Sequence, residues 1–123
     1  MLLTQLNNLK IVFSDFDGTL TYKESLSPLF FDILNFLQAK KIPLVIVTGR
    51  SLSWGHFLLT HFPFLEDVIV EGGGAILSRR GKFITEECLV SEADVAKLAH
   101  FSRELALAFP SIKLSVDSFG RKT

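Results

Sequence analysis

The chain has 123 residues, enough for one packed domain and too few for two. Hydrophobic residues make up 48% and charged residues 21%, which excludes a disordered chain, and 13 basic against 13 acidic residues without a run of either sign exclude charge-driven capture of nucleic acid or of an anionic membrane. No apolar stretch approaches the ~20 residues that cross a bilayer, no signal-peptide pattern opens the chain, and the single cysteine rules out an internal disulfide, so a cytoplasmic protein is expected. Cys88 itself reads as a small buried hydrophobe. With 12 Phe and a mean hydropathy of +0.36, the composition is apolar for a small monomer and predicts self-association or a partner on part of the surface.

In chain order, Lys10 to Ser14 reads as a first strand, its unbroken Ile11-Val12-Phe13 core typical of a parallel sheet covered on both faces. The segment Asp15-Phe16-Asp17-Gly18-Thr19-Leu20-Thr21 follows. Side chains alternate along a strand, so at its exit Asp15 and Asp17 can face the same open edge. Two such carboxylates repel unless a cation or a shared proton intervenes, and a hard divalent ion with oxygen ligands, Mg²⁺, is the natural partner. Gly18 permits a sharp turn, and Thr19 and Thr21 add hydroxyls. Taken alone, Asp17-Gly18 reads as an ordinary turn.

Ser27-Pro28 opens a helix to about Lys40, with Leu29, Ile33, Phe36 and Leu37 on one face. Ile42 to Val47 reads as a second buried strand, ending at Thr48-Gly49-Arg50-Ser51. Ser53 to Phe62 reads as a second helix, stopped by Pro63, in which Trp54 and His56 are packing or surface residues. Asp67 to Glu71 forms a third strand, closed by Gly72-Gly73-Gly74. Strand, helix, strand, helix, strand defines an α/β fold with a Rossmann-like parallel sheet, whose ligands lie beyond the carboxyl ends of the strands. The segments 15–21, 48–51 and 71–74 each fall at such an end.

From Ala75 the pattern changes. Ala75 to Ser78 and Lys82 to Glu86 flank Arg79-Arg80-Gly81 as a hairpin, Ser91-Glu92-Ala93-Asp94 caps a helix with Val95, Leu98, Leu105, Ala108 and Phe109 on its apolar side, and Ile112 to Val116 reads as a further strand. This tail is the beginning of a second, α+β layer. The expected division is 1–75 and 76–123.

The run Val12 to Thr21, with its Asp-Phe-Asp-Gly-Thr-Leu-Thr string, resembles the first motif of the haloacid dehalogenase (HAD) superfamily of phosphohydrolases. Thr48-Gly49-Arg50 resembles its second motif, and Glu71-Gly72-Gly73-Gly74-Ala75-Ile76 resembles the Glu-Asn-Gly-Ala segment of the Cof-type, sugar-phosphatase-like branch, whose cap is inserted after the third core strand. The resemblance implies that Asp15 attacks phosphorus and becomes an aspartyl phosphate, and that Asp17 protonates the leaving oxygen and then activates water. It implies Mg²⁺ on the Asp15 carboxylate and the backbone carbonyl of Asp17. It also implies that Gly18, Thr48, Gly49 and Arg50 bind the phosphoryl group of a small phosphorylated metabolite. An acid at neutral pH needs a raised pKa, so the surroundings of Asp17 are expected to raise it. Arg50 either orients substrate phosphate or is a solvated charge. The glycine run is either a core-to-cap hinge or, with Glu71, a substrate contact.

The family also carries a third-motif Lys and a fourth-motif acidic pair in the core after the cap. Neither is found here, and Lys122 has no core strand behind it. The resemblance therefore implies an amino-terminal part of such a domain. Three functions fit: a Mg²⁺-dependent phosphatase, a phosphotransferase or mutase with the same aspartyl chemistry, and a catalytically silent half-domain that binds a partner.

Overall fold

In the computed structural model, residues 8–113 are described. The elements are β1 (Val12–Asp15), β2 (Thr21–Tyr22), β3 (Ser25–Leu26), α1 (Pro28–Ala39), β4 (Leu44–Val47), α2 (Leu52–His61), β5 (Asp67–Val70), a 3-10 turn Glu71–Gly73, β6 (Ala75–Arg80), β7 (Phe83–Cys88) and α3 (Glu92–Ala108). Five strands form one sheet in the order β1-β4-β5-β6-β7, and β2 and β3 make a separate small ribbon. β1, β4 and β5 run parallel, with Asp15 opposite Val47 and Ile46 opposite Val68. The α/β, Rossmann-like reading of the sequence holds.

The core lies between this sheet and the helices α1 and α2. Val68, Val70, Ala75 and Leu77 from the sheet meet Leu58 and Leu59 from α2. Phe30 is 1% exposed, and burying a ring of that size contributes about 1.5–3 kcal/mol. It packs edge-on against Phe16 at 6.3 Å and Phe62 at 5.4 Å between centroids. These contacts set the buried stripe of α1 as Phe30, Leu34 and Leu37. The expected stripe was one residue out of phase, since Leu29 is 64% and Phe36 42% exposed.

Other expectations change with the structure. Phe13 is 60% and Ile11 43% exposed, so β1 is covered on one face only among the described residues. Cys88 is exposed rather than buried, at the end of the outermost strand. The ribbon β2–β3 had no counterpart in the sequence reading. Its turn places Lys23 and Glu24 at φ 48° and 62°, a left-handed pair that glycine or asparagine more often fills. β6 pairs antiparallel with β5 from Asp67 opposite Ser78 to Val70 opposite Ala75, and β7 pairs with β6. The hairpin thus extends the core sheet straight across the 75/76 division. α3 opens on a Ser91 side chain that accepts the Asp94 N–H at 3.1 Å, as the capping pattern predicts, but none of its residues is buried. Ile112 and Lys113 lie outside any strand, and the rest of the expected strand to Val116, like Lys122, lies outside the described residues.

Candidate active site

Pairing of β1 with β4 sets two strand ends side by side, Asp15 against Val47, and the two loaded loops leave from there. After Asp15 the backbone winds into a turn, with the Phe16 carbonyl accepting N–H bonds from Leu20 at 2.9 Å and Thr21 at 3.1 Å. The Phe16 ring goes into the core, so its neighbours Asp15 and Asp17 are both turned out to the exposed side. Gly18 takes φ +78°, a conformation that costs a residue with a Cβ but not glycine, and donates its N–H to Thr21 Oγ1 at 3.0 Å. Thr21 is buried and holds the turn together. Thr19 stays outside, its hydroxyl 3.4 Å from Asp15 Oδ2.

Thr48 lies at the end of β4, buried, with its N–H donated to Ile69 O at 2.9 Å. Its Oγ1 accepts the Arg50 N–H at 3.1 Å, and a hydroxyl that accepts still has its proton to give. Gly49 is exposed, and a Cβ built on it would meet nothing within 4 Å, so its backbone borders open space. Arg50 reaches across to the other loop. Its Nε donates to Asp17 Oδ2 at 2.8 Å and its Nη2 to Asp17 Oδ1 at 2.7 Å, a fork on both carboxylate oxygens. The same guanidinium lies 4.1 Å over the Trp54 ring.

Arg50 is thus not merely a solvated charge: in this structure it clamps Asp17. Its hydrogen bonds hold the Asp17 carboxyl below its ordinary value of 3.8, against the smaller upward push of burial and with a further Coulombic pull from the same guanidinium. The expected upward shift is thus reversed. Here Asp17 is an ionised acceptor.

Two residues take contacts at the site that the sequence does not predict. Trp54 stands four residues after Arg50 on the following helix, a spacing that could have flagged the contact. Glu71 is 7% exposed with φ +55°, and its Oε1 accepts the Leu52 N–H at 3.2 Å at the start of α2. Nothing local announces that contact across 19 positions. The glycines after it are pinned: Gly72 donates to Thr48 O at 3.2 Å and Gly74 to Glu71 O at 3.1 Å.

For Mg²⁺, Asp15 presents an exposed carboxylate and Asp17 a backbone carbonyl, both hard oxygens of the kind the ion takes. Those are two of about six positions. No group of three His, Cys, Asp or Glu able to hold a metal occurs among the described residues. No helix among them is long and apolar enough to cross a membrane.

The family model of haloacid dehalogenase-like hydrolases matches residues 12–114, and the chain belongs to that family. Its fold is that of HAD phosphatases. A HAD-superfamily phosphatase from Bacteroides thetaiotaomicron superimposes with a TM-score of 0.58 at 27% identity, covering 80% of this chain and 37% of its own. A HAD-like hydrolase from B. subtilis gives 0.59 at 20% identity, covering 78% and 34%. A HAD subclass IIB sugar phosphatase gives 0.54 at 21% identity, covering 77% and 37%. The chain thus spans a little over a third of the length of these structures. No curated protein matches it in sequence.

Proposed function

We propose that the protein is a Mg²⁺-dependent phosphomonoester hydrolase that works through an aspartyl phosphate on Asp15, with a sugar phosphate or similar small phosphorylated metabolite as substrate. The observation that carries this reading is the clamp itself. It joins the two strand-end loops, so that an open carboxylate, a paired carboxylate, a buried hydroxyl and a guanidinium fork share one edge of the sheet. The sugar-phosphate class is supported by the sugar phosphatase among the matched folds. We place the protein in the cytoplasm, consistent with its one unpaired cysteine.

Asp15 attacks phosphorus through a carboxylate oxygen. The bond from phosphorus to the leaving oxygen breaks, and that oxygen takes a proton from Asp17. Water then attacks the phosphorus of the aspartyl phosphate while Asp17 takes its proton back, which frees phosphate and restores Asp15. The Asp15 carboxylate and the Asp17 backbone carbonyl would hold Mg²⁺, which would supply neutralisation of part of the charge that otherwise keeps carboxylate and phosphoryl apart.

Asp17 must first exchange Arg50 for a proton taken from solvent water. A phosphoryl group entering beside it competes for the guanidinium, because two N–H donors in a plane fit phosphate oxygens as well as carboxylate oxygens. Substrate binding thereby frees Asp17 while Arg50, Thr48 and the Gly49 backbone take the phosphoryl oxygens. Gly18 lets the Asp17 backbone stay close. A core followed by the start of a cap remains our reading, but the pairing of β6 with β5 and of β7 with β6 supports moving the boundary from 75/76 to after β7, with α3 as the first element of the second layer.

Asp15→Asn in the full-length enzyme is expected to abolish turnover of a generic phosphomonoester while circular dichroism and melting stay unchanged, the amide being nearly isosteric. Retained turnover overturns the mechanism. Excess chelator is expected to remove activity, and added Mg²⁺ to restore it. Product analysis separates hydrolysis from phosphoryl transfer to a second hydroxyl, since only transfer returns an isomeric ester.

A further inference from the structure

Glu71 occupies a left-handed backbone position, φ +55°, in a run that continues through Gly72 at +62° and Gly73 at +99°. A residue with a Cβ is disfavoured there, and the two positions after it are filled by glycine. Such a conformation persists only where the surroundings hold it, and what holds it is the Thr48–Leu52 segment. The Glu71 N–H donates to Arg50 O at 2.8 Å, the Gly72 N–H donates to Thr48 O at 3.2 Å, and the Glu71 side chain turns back so that Oε1 accepts the Leu52 N–H at 3.2 Å. One dipeptide thus grips the segment before, at and after Arg50. Ser51, the residue before α2, makes no side-chain cap to the helix, and the Glu71 carboxylate serves the Leu52 N–H at that end.

We infer that Glu71 is a positioning residue. Its carboxylate fixes the backbone of residues 48–52, and through it the direction from which Thr48 and Arg50 approach Asp17 and a phosphoryl group. The inference rests on the reading of that segment as the phosphoryl-binding loop. Glycine at 71 would satisfy the backbone without strain, so the glutamate there points to a role for its side chain. Glutamate has the reach to place an oxygen on Leu52 from the end of the neighbouring strand. A substrate contact is not needed to account for it, because the side chain is directed into the loop and is 7% exposed.

The test compares Glu71→Gly with Glu71→Gln in the full-length protein. Glycine relieves the backbone and removes the carboxylate, whereas glutamine keeps an acceptor for Leu52. In Glu71→Gly, amide hydrogen exchange at Leu52 and its loop neighbours is expected to rise about ten-fold, the loss of one buried hydrogen bond, while β4 and β5 stay protected. Phosphomonoester kcat/KM is expected to fall by about ten-fold or more through misplacement of Arg50 and Thr48. Glu71→Gln is expected to recover most of both. Unchanged exchange or unchanged kcat/KM in Glu71→Gly, or a Glu71→Gln variant as impaired as Glu71→Gly, overturns the inference. If Asp15→Asn keeps its activity, the hydrolase reading fails instead, and the exchange data alone still decide whether Glu71 holds the loop.

Discussion

Asp17 and Arg50 are joined by two bonds of 2.7 and 2.8 Å between side chains that are 44% and 35% exposed. At that exposure water screens the pair, and its effect on stability is small. Its effect on titration is direct. Arg50→Ala is expected to raise the Asp17 pKa to about the ordinary 3.8, followed by carbon NMR of the carboxyl group, and Arg50→Lys to raise it part of the way because the charge remains and the fork is lost. An unmoved pKa in Arg50→Ala would mean that the clamp is absent in solution. Because the folded value is depressed, the stabilisation from this pair is present above about pH 3.8 and is lost as pH falls through the folded pKa of Asp17. Asp15, Asp17 and Thr48 could be marked from sequence since each belongs to a short string at a strand end. The partner of Arg50 could not, because it lies 33 positions away and only the pairing of β1 with β4 brings it near.

At the level of elements, α2 lies unusually close to the sheet. A Cβ on Gly55 would sit 2.7 Å from Leu77 Cδ1 and 2.9 Å from Val70 Cγ1, and both neighbours are fully buried. Alanine gains about 1 kcal/mol in helix propensity over glycine, but overpacking a rigid core costs about 1–3 kcal/mol. Gly55→Ala is therefore expected to lower unfolding free energy by about 1 kcal/mol in urea titrations, and an equal or higher midpoint would show that α2 can lift from the sheet. The stop at Pro63 marked α2, and periodicity made α1 readable. It could not choose between adjacent stripes on α1, where Leu29, Phe30, Ile33, Phe36 and Leu37 are all apolar, and the ring contacts of Phe30 decide. The Ile11-Val12-Phe13 run misled in the same way. Continuous hydrophobicity signals two buried faces only when something covers both, and Phe13 faces outward. The small ribbon was invisible because Lys23 and Glu24 take left-handed turn positions without glycine.

For the molecule as a whole, exposed apolar residues are spread over the surface, and among them are Leu9, Ile11 and Phe13 just before and on β1 and Leu98, Phe101, Leu107 and Phe109 on and after α3. Among the described residues β1 is also an edge of the sheet, with backbone groups open to another strand. Prepared in isolation, these 123 residues are expected to bind a hydrophobic dye or self-associate, and to hydrolyse phosphomonoesters no faster than their Asp15→Asn variant. A dye-silent monomer with brisk Mg²⁺-dependent turnover would refute both halves. The alternation of strands and helices made the overall class legible from Lys10 to Glu71. Beyond it, the hairpin reads the same whether it starts a new layer or extends the old one, because the pairing of β6 with β5 leaves no local trace. The stacking of Arg50 on Trp54 has one more consequence. The chain has a single tryptophan, so its intrinsic fluorescence comes from one ring, and that ring lies 4.1 Å beneath the guanidinium that must let go of Asp17. Indole emission responds to a nearby charge, and the protein therefore carries its own optical gauge of the clamp. A phosphate analogue that draws Arg50 away would change the colour or the brightness of that light, with no label attached.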